Sequence, residues 1–169
     1  LLLLLLLQGG AYAAGCRDFG ENYVQELVEK SQQLATEEGY GDIRWHFIGH
    51  LQSNKAKLLA TVPSLYCIHT VDSIKLANKI NTAFKGVEKN VMVLVQVNTS
   101  GEESKSGATP GDAVVQLANH IITKNENLKF GGLMTIGRPN APDDQPDFCT
   151  LLEQRRQLLT TTTTTTTTT

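Results

Sequence analysis

The stretch Trp45-His46-Phe47-Ile48-Gly49-His50-Leu51-Gln52-Ser53-Asn54-Lys55-Ala56-Lys57 decides how this chain reads. Its first half is apolar and aromatic, which suits a buried strand. Gly49 breaks the run, and the polar segment with alternating lysines that follows suits the start of a helix. His46, His50, Gln52, Ser53 and Asn54 crowd this junction, and each can bond a ligand. The carboxyl end of a strand, where a helix begins, is where α/β proteins place their sites.

The same unit recurs on both sides. Residues 11–15 read as the tail of a helix stopped by Gly15, and 17–21 as a short strand. Residues 24–38 have helical spacing, with Val24, Leu27, Val28, Leu34 and Ala35 on one side. After the strand at 43–48, a helix is predicted from 53 to 61 and a strand from 65 to 70. Asp72 or Ser73 can cap the next helix, whose apolar positions are Ile74, Leu76, Ala77, Ile80 and Phe84. Residues 91–98 form a nearly unbroken apolar run, of the kind parallel sheets bury on both faces. Thr109 is expected to cap a helix with Pro110 at its first position, burying Val114, Leu117, Ala118, Ile121 and Ile122. A strand at 128–135, a turn-rich loop at 137–146 and a helix at 148–159 complete the series. Strictly alternating strands and helices mean a parallel sheet with helices outside it. Spacing alone leaves an open doubly wound sheet and a closed barrel both open.

Composition excludes several functions. Net charge is −2 with acids and bases mixed, so no basic stripe invites nucleic acid. No Gly-x-Gly-x-x-Gly follows a strand and no phosphate loop is present, which weighs against dinucleotides and nucleotides. No Gly-x-Ser-x-Gly elbow or paired acids argue for hydrolytic or acid-base catalysis. Cys16, Cys67 and Cys149 lie far apart without a Cys-x-x-Cys pair, which favours a reducing compartment over structural zinc. His46 and His50 have a metal-binding spacing only on a helix and show no third ligand, so no metal is expected.

The ends are homopolymers, Leu1 to Leu7 and Thr160 to Thr169. Neither carries side-chain information for a packed core, so the domain is placed at residues 8–159 and the threonines are expected to be disordered. A bilayer span takes about 20 apolar residues, far more than the leucine run supplies, and no membrane association is expected.

Four ordered blocks then point to one family. They are Phe19-Gly20-Glu21-Asn22-Tyr23-Val24-Gln25-Glu26, the Trp45 to Lys55 stretch, Val95-Gln96-Val97-Asn98-Thr99-Ser100-Gly101-Glu102-Glu103-Ser104-Lys105-Ser106-Gly107, and Gly132-Leu133-Met134-Thr135-Ile136-Gly137. With them the chain resembles the pyridoxal phosphate homeostasis protein family from about Ala11 to Leu158. The resemblance implies a partial TIM-type (β/α)8 barrel, like the barrel domain of alanine racemase, with strands two to six present and open rather than closed. It implies a non-catalytic, cytoplasmic or mitochondrial protein that carries or buffers pyridoxal 5'-phosphate (PLP), held in the family as a Schiff base to lysine.

That lysine belongs to a Ser-Lys-Thr-Lys-type segment after the family's first strand. Here the leucine run stands in that region, and no lysine occurs before Lys30. The family's Gly-Met-Ser and Arg-Ile-Gly segments, which cup the phosphate, do not follow Gly137. PLP binding is therefore expected to be weakened or lost. The alternatives are an inert or partner-dependent barrel fragment without cofactor, and a PLP-dependent racemase.

The residues expected at the cofactor are Asn22, His46, Gly49, Asn54, Lys105 and Met134. Read without the family, Asn22 is a helix cap, His46 a packed core histidine, Lys105 a solvated lysine and Met134 core filling. The exposed edges of an open barrel are expected to favour self-association.

Overall fold

The computed structural model describes residues 10–88, 90–102, 105–138 and 145–165, with side chains of the last stretch to residue 161. The leucine run and most of the loop at 137–146 lie outside these residues. Five strands, β1 (Asp18–Glu21), β2 (Arg44–Phe47), β3 (Leu65–Val71), β4 (Val91–Gln96) and β5 (Leu128–Met134), form one sheet. Every neighbouring pair is parallel, and the order is β1-β2-β3-β4-β5. Helical residues 10–13 (α1) precede β1. Between and after the strands come α2 (Val24–Ala35), a 3-10 turn Ser53–Lys55 leading into α3 (Ala56–Leu59), α4 (Ile74–Ala83), α5 (Asp112–Lys124) and α6 (Pro146–Thr165).

Strand order resolves what spacing left open. A doubly wound sheet reverses its order at a switch point. Here the order never reverses, and right-handed crossovers then put every helix on one face. The result is an open five-stranded parallel sheet with the topology of part of a (β/α)8 barrel.

Alternation along the strands divides the side chains. Phe19, Trp45, Phe47, Ile68, Val93 and Val95 are buried and belong to the core shared with the helices. Asp18, Gly20, Arg44, His46, Met92 and Leu94 occupy the alternate positions and are exposed or half-buried. The helices answer with Leu27 and Val28, Leu59, Ala77 and Ile80, and Val114, Leu117, Ala118 and Ile121. Fully burying each aliphatic side chain contributes about 1.5–3 kcal/mol.

Lys30 breaks the rule that charges stay outside: it is 1% exposed. Its ammonium lies 2.6 Å from Glu21 Oε1 and 3.0 Å from Glu26 Oε2. The pair fastens α2 to the carboxyl end of β1.

Two expectations require correction. Helix α5 does not start at Thr109 and Pro110 but at Asp112, after Gly111 at φ +103°. The cause is non-local: Ala108 donates to Gln96 O at 2.8 Å and accepts from Asn98 N at 3.0 Å, which holds the chain extended. Gly111 then makes the turn, its N–H donating to Gln154 Oε1 at 2.6 Å. Ile122 is 53% exposed, because it is one step around the helix from Ile121 and both cannot face the sheet. Helix α6 runs on into the threonine run, to Thr165. Thr160 and Thr161 hydroxyls both donate to Gln157 O at 2.9 Å, satisfying carbonyl positions of the preceding turn.

Candidate functional site

The loop after β4 shapes the carboxyl end of the sheet. Gln96 closes β4, and its Nε2 donates to Ser106 O at 2.9 Å. Asn98 Nδ2 donates to Glu102 O at 2.9 Å and to Lys105 O at 3.3 Å. Val97 bridges Ala108 in parallel fashion. Two polar side chains at a strand end thus hold residues 98–102 and 105–108 back over the sheet. Lys105 is brought to a hollow of about 150 Å³ lined by Ile48, His50, Thr70, Gln96 and Asn98. Lys105 is ion-paired to Glu102 and, as the largest influence, holds that carboxyl below its usual range.

The hollow is tied to β2 and β3 by two further bonds. Ser106 Oγ lies 3.2 Å from His50 Nδ1. The buried Thr70 hydroxyl donates to Gly49 O at 2.6 Å. On the β5 side, Thr135 Oγ1 donates to Val97 O at 2.9 Å and lies 2.8 Å from Thr99 Oγ1. Arg138 grips the buried Asp147 through its backbone N–H at 2.8 Å and its guanidinium at 3.0 and 3.1 Å. That guanidinium pushes the Asp147 carboxyl down to about 2.

A second, larger hollow of about 530 Å³ adjoins through His50. Asn22, Tyr23, Gly49, Gln52 and Lys55 line it. Gly49 is required there: a Cβ would come within 1.9 Å of Asn22 O. Tyr23 is the N-cap of α2 and makes no side-chain cap bond, and Asn22 is not spent as a cap.

The six expected residues are therefore not gathered in one place. Asn22 and Gly49 share the larger hollow, and Lys105 stands over the smaller one. Met134 ends β5 and pairs with Gln96, while Ile136 lines the smaller hollow. Asn54 lies in a separate groove with Lys57, Lys79 and Thr82, between α3 and α4. His46 lines neither hollow. It sits on the open face, one residue before the end of β2, with Nδ1 2.9 Å from His69 Nε2 and Nε2 3.0 Å from Asp18 Oδ1. Arg44, then His46, holds the Asp18 carboxyl well below the carboxylate range. Burial and then His46 lower the His69 imidazole, and burial pushes the Cys67 thiol up to about 12.

Sequence reasoning missed Thr70, Gln96, Glu102 and Ser106 as parts of the mouth. A polar residue closing an apolar strand, as Gln96 does, was the available signal. Asp18 and Cys67 were also missed; only strand register reveals them.

Comparisons with known proteins agree with this architecture. The chain is 47% identical over 150 residues to the pyridoxal phosphate homeostasis protein of Homo sapiens, covering 86% of this chain and 54% of the relative. It is 43% identical over 148 residues to the protein of that name from Schizosaccharomyces pombe, covering 86% of this chain and 60% of the relative. The chain thus spans about half of the human relative's length. PipY of Synechococcus elongatus PCC7942, solved with PLP bound, superposes with a TM-score of 0.76 at 29% identity, covering 93% of this chain and 70% of PipY. Alanine racemase of Clostridium difficile 630, at 13% identity and a TM-score of 0.69 over 91% of this chain and 39% of the racemase, shares the fold. Among the described residues no helix is long and apolar enough to cross a membrane. The alanine racemase N-terminal domain family matches residues 4–167, and the chain belongs to that family.

Proposed function

We propose that this chain handles PLP without catalysis, holding it weakly at the carboxyl ends of β3, β4 and β5. The observation that carries this reading is the convergence of Lys105, Ser106 and His50 on one hollow at the strand ends. A cation with neighbouring hydroxyl and imidazole donors fits a phosphate monoester. Lys105, Ser106 and His50 would contact the phosphate or the aldehyde. Asn22 and Gly49 wall the adjoining space, where a planar ring has room. PLP supplies an electrophilic aldehyde that amines capture, which is the chemistry a carrier must shield. Met134 supports the site through its pairing with Gln96, and His46 stands on the open face beside it. Asn54, in its separate groove, has no part in it.

Weak binding follows from the same geometry. Glu102 already neutralises Lys105. Lys30 is committed to Glu21 and Glu26. Catalysis needs a base free to act on a bound amino acid. Around the smaller hollow, Lys105 is engaged by Glu102 and His50 by Ser106. The three free cysteines suit a reducing compartment such as the cytoplasm or mitochondrion.

The test is a PLP titration followed by absorbance, on the chain and on Lys105→Ala. A saturable spectral change, weakened about tenfold in the variant, is expected from loss of a charged contact. No saturable change, or identical curves for both proteins, contradicts the proposal.

A further inference from the structure

A second cluster stands on the open face of the sheet, and the cofactor reading does not use it. His46 on β2 and Cys67 and His69 on β3 each present one donor atom, and all three atoms lie within 4.8 Å of one another. Register builds the cluster. His46 pairs with Cys67 across the β2–β3 ladder, which shifts just before His46. Cys67 and His69 are two residues apart on one strand and therefore share its face.

Asp18 orients the first imidazole. Its carboxylate, held by Arg44, lies 3.0 Å from His46 Nε2. An ionised carboxylate only accepts, so Nε2 carries the proton and Nδ1 keeps a lone pair. That lone pair faces His69 Nε2 at 2.9 Å, which donates to it. A histidine with a carboxylate behind one nitrogen and further donors before the other has the surroundings of metal-bound imidazole. The cluster is also accessible: the His46 side chain is 17% exposed, while Cys67 is buried.

We propose that His46 Nδ1, Cys67 Sγ and His69 Nε2 bind one zinc ion, leaving a fourth position for water or a further ligand. One thiolate and two imidazoles are a zinc donor set, and three protein ligands with an open position are the pattern of reactive rather than closed sites. On binding, the thiol proton is released to solvent, and His69 moves its ring proton from Nε2 to Nδ1. Donor atoms in a tetrahedral zinc site stand roughly 3.3–3.6 Å apart at ordinary bond lengths. The present spacing closes to that with a shift of about 1 Å.

The test uses the full chain stripped of metal by chelator, with cobalt(II) as spectroscopic probe and zinc as competitor. One equivalent of cobalt should give tetrahedral d–d bands and a thiolate-to-cobalt charge-transfer band, both abolished by stoichiometric zinc. Cys67→Ser should remove the charge-transfer band, and His69→Gln should weaken zinc at least tenfold. Asp18→Asn should weaken zinc about 10–100-fold while keeping the band, as losses behind a ligating histidine do. A Cys16→Ser/Cys149→Ser double variant should bind as the parent does. Circular dichroism of each metal-free variant separates lost ligation from lost folding. Cobalt bound without a thiolate band, a band lost in the Cys16/Cys149 variant, or zinc affinity unchanged in folded Cys67→Ser and His69→Gln overturns the proposal.

Discussion

Replacing Lys30 with methionine keeps the length of the side chain and removes its charge. The ammonium is 1% exposed and meets Glu21, itself 8% exposed. Without it, Glu21 holds a negative charge in a site built around a cation. Breaking a buried pair by removing one partner costs about 3–5 kcal/mol. At this chain length each kcal/mol moves the melting temperature by about 2–4 °C, so a fall of roughly 6–20 °C is expected. Glu26→Gln is the contrast: its carboxylate is 45% exposed, and an exposed pair contributes about 0–1 kcal/mol. Adding Glu21→Gln to Lys30→Met should recover stability, since the amide carries no charge to strand.

Alkaline titration gives a further check. Burial lowers the Lys30 pKa, but the carboxylates of Glu21 and Glu26 outweigh it and hold it above the ordinary value. Its contribution is therefore full below the unfolded-state pKa and is lost as pH rises through the folded one. The gap between parent and Lys30→Met should be constant at neutral pH and narrow at strongly alkaline pH. Urea unfolding followed by circular dichroism measures both effects. A Lys30→Met change within about 1 kcal/mol of the parent would refute the reasoning, because exposed pairs behave that way.

Two other outcomes are expected. Gly49→Ala places a Cβ 1.9 Å from Asn22 O, so the loops after β1 and β2 must part; overpacking costs about 1–3 kcal/mol, and both melting temperature and PLP affinity should fall. Arg138→Ala releases Asp147, whose carboxyl Arg138 holds at about 2. That stabilisation is present above the unfolded carboxyl pKa and lost as pH falls through about 2, so acid titration of parent and variant should show a gap that closes in that window.

How far the sequence revealed the molecule depended on whether the deciding contact was local. The apolar run from Val91 and the helical stripe of Val114, Leu117, Ala118 and Ile121 needed no knowledge of their neighbours. Ser73 was readable as a cap, and its Oγ does accept from Leu76 N at 3.3 Å. The start of α5 was misread because Ala108 is held by Gln96 and Asn98, a pairing across a loop that no turn rule anticipates. Nothing local in the sequence shows that Glu21 reaches Lys30. At the mouth, the closure of the loop around Lys105 by Gln96 and Asn98 has no local signal in the sequence. The nearness of His46, Cys67 and His69 depends on a register shift, which is a property of the assembled sheet.

The most direct test of the central claim is chemical. The chain is mixed with PLP, reduced with borohydride and digested, and modified lysines are located by mass spectrometry. The account predicts a partial, saturable adduct concentrated at Lys105 and suppressed by excess inorganic phosphate. Absence of any adduct, or labelling spread evenly over exposed lysines such as Lys55 and Lys57, would contradict it.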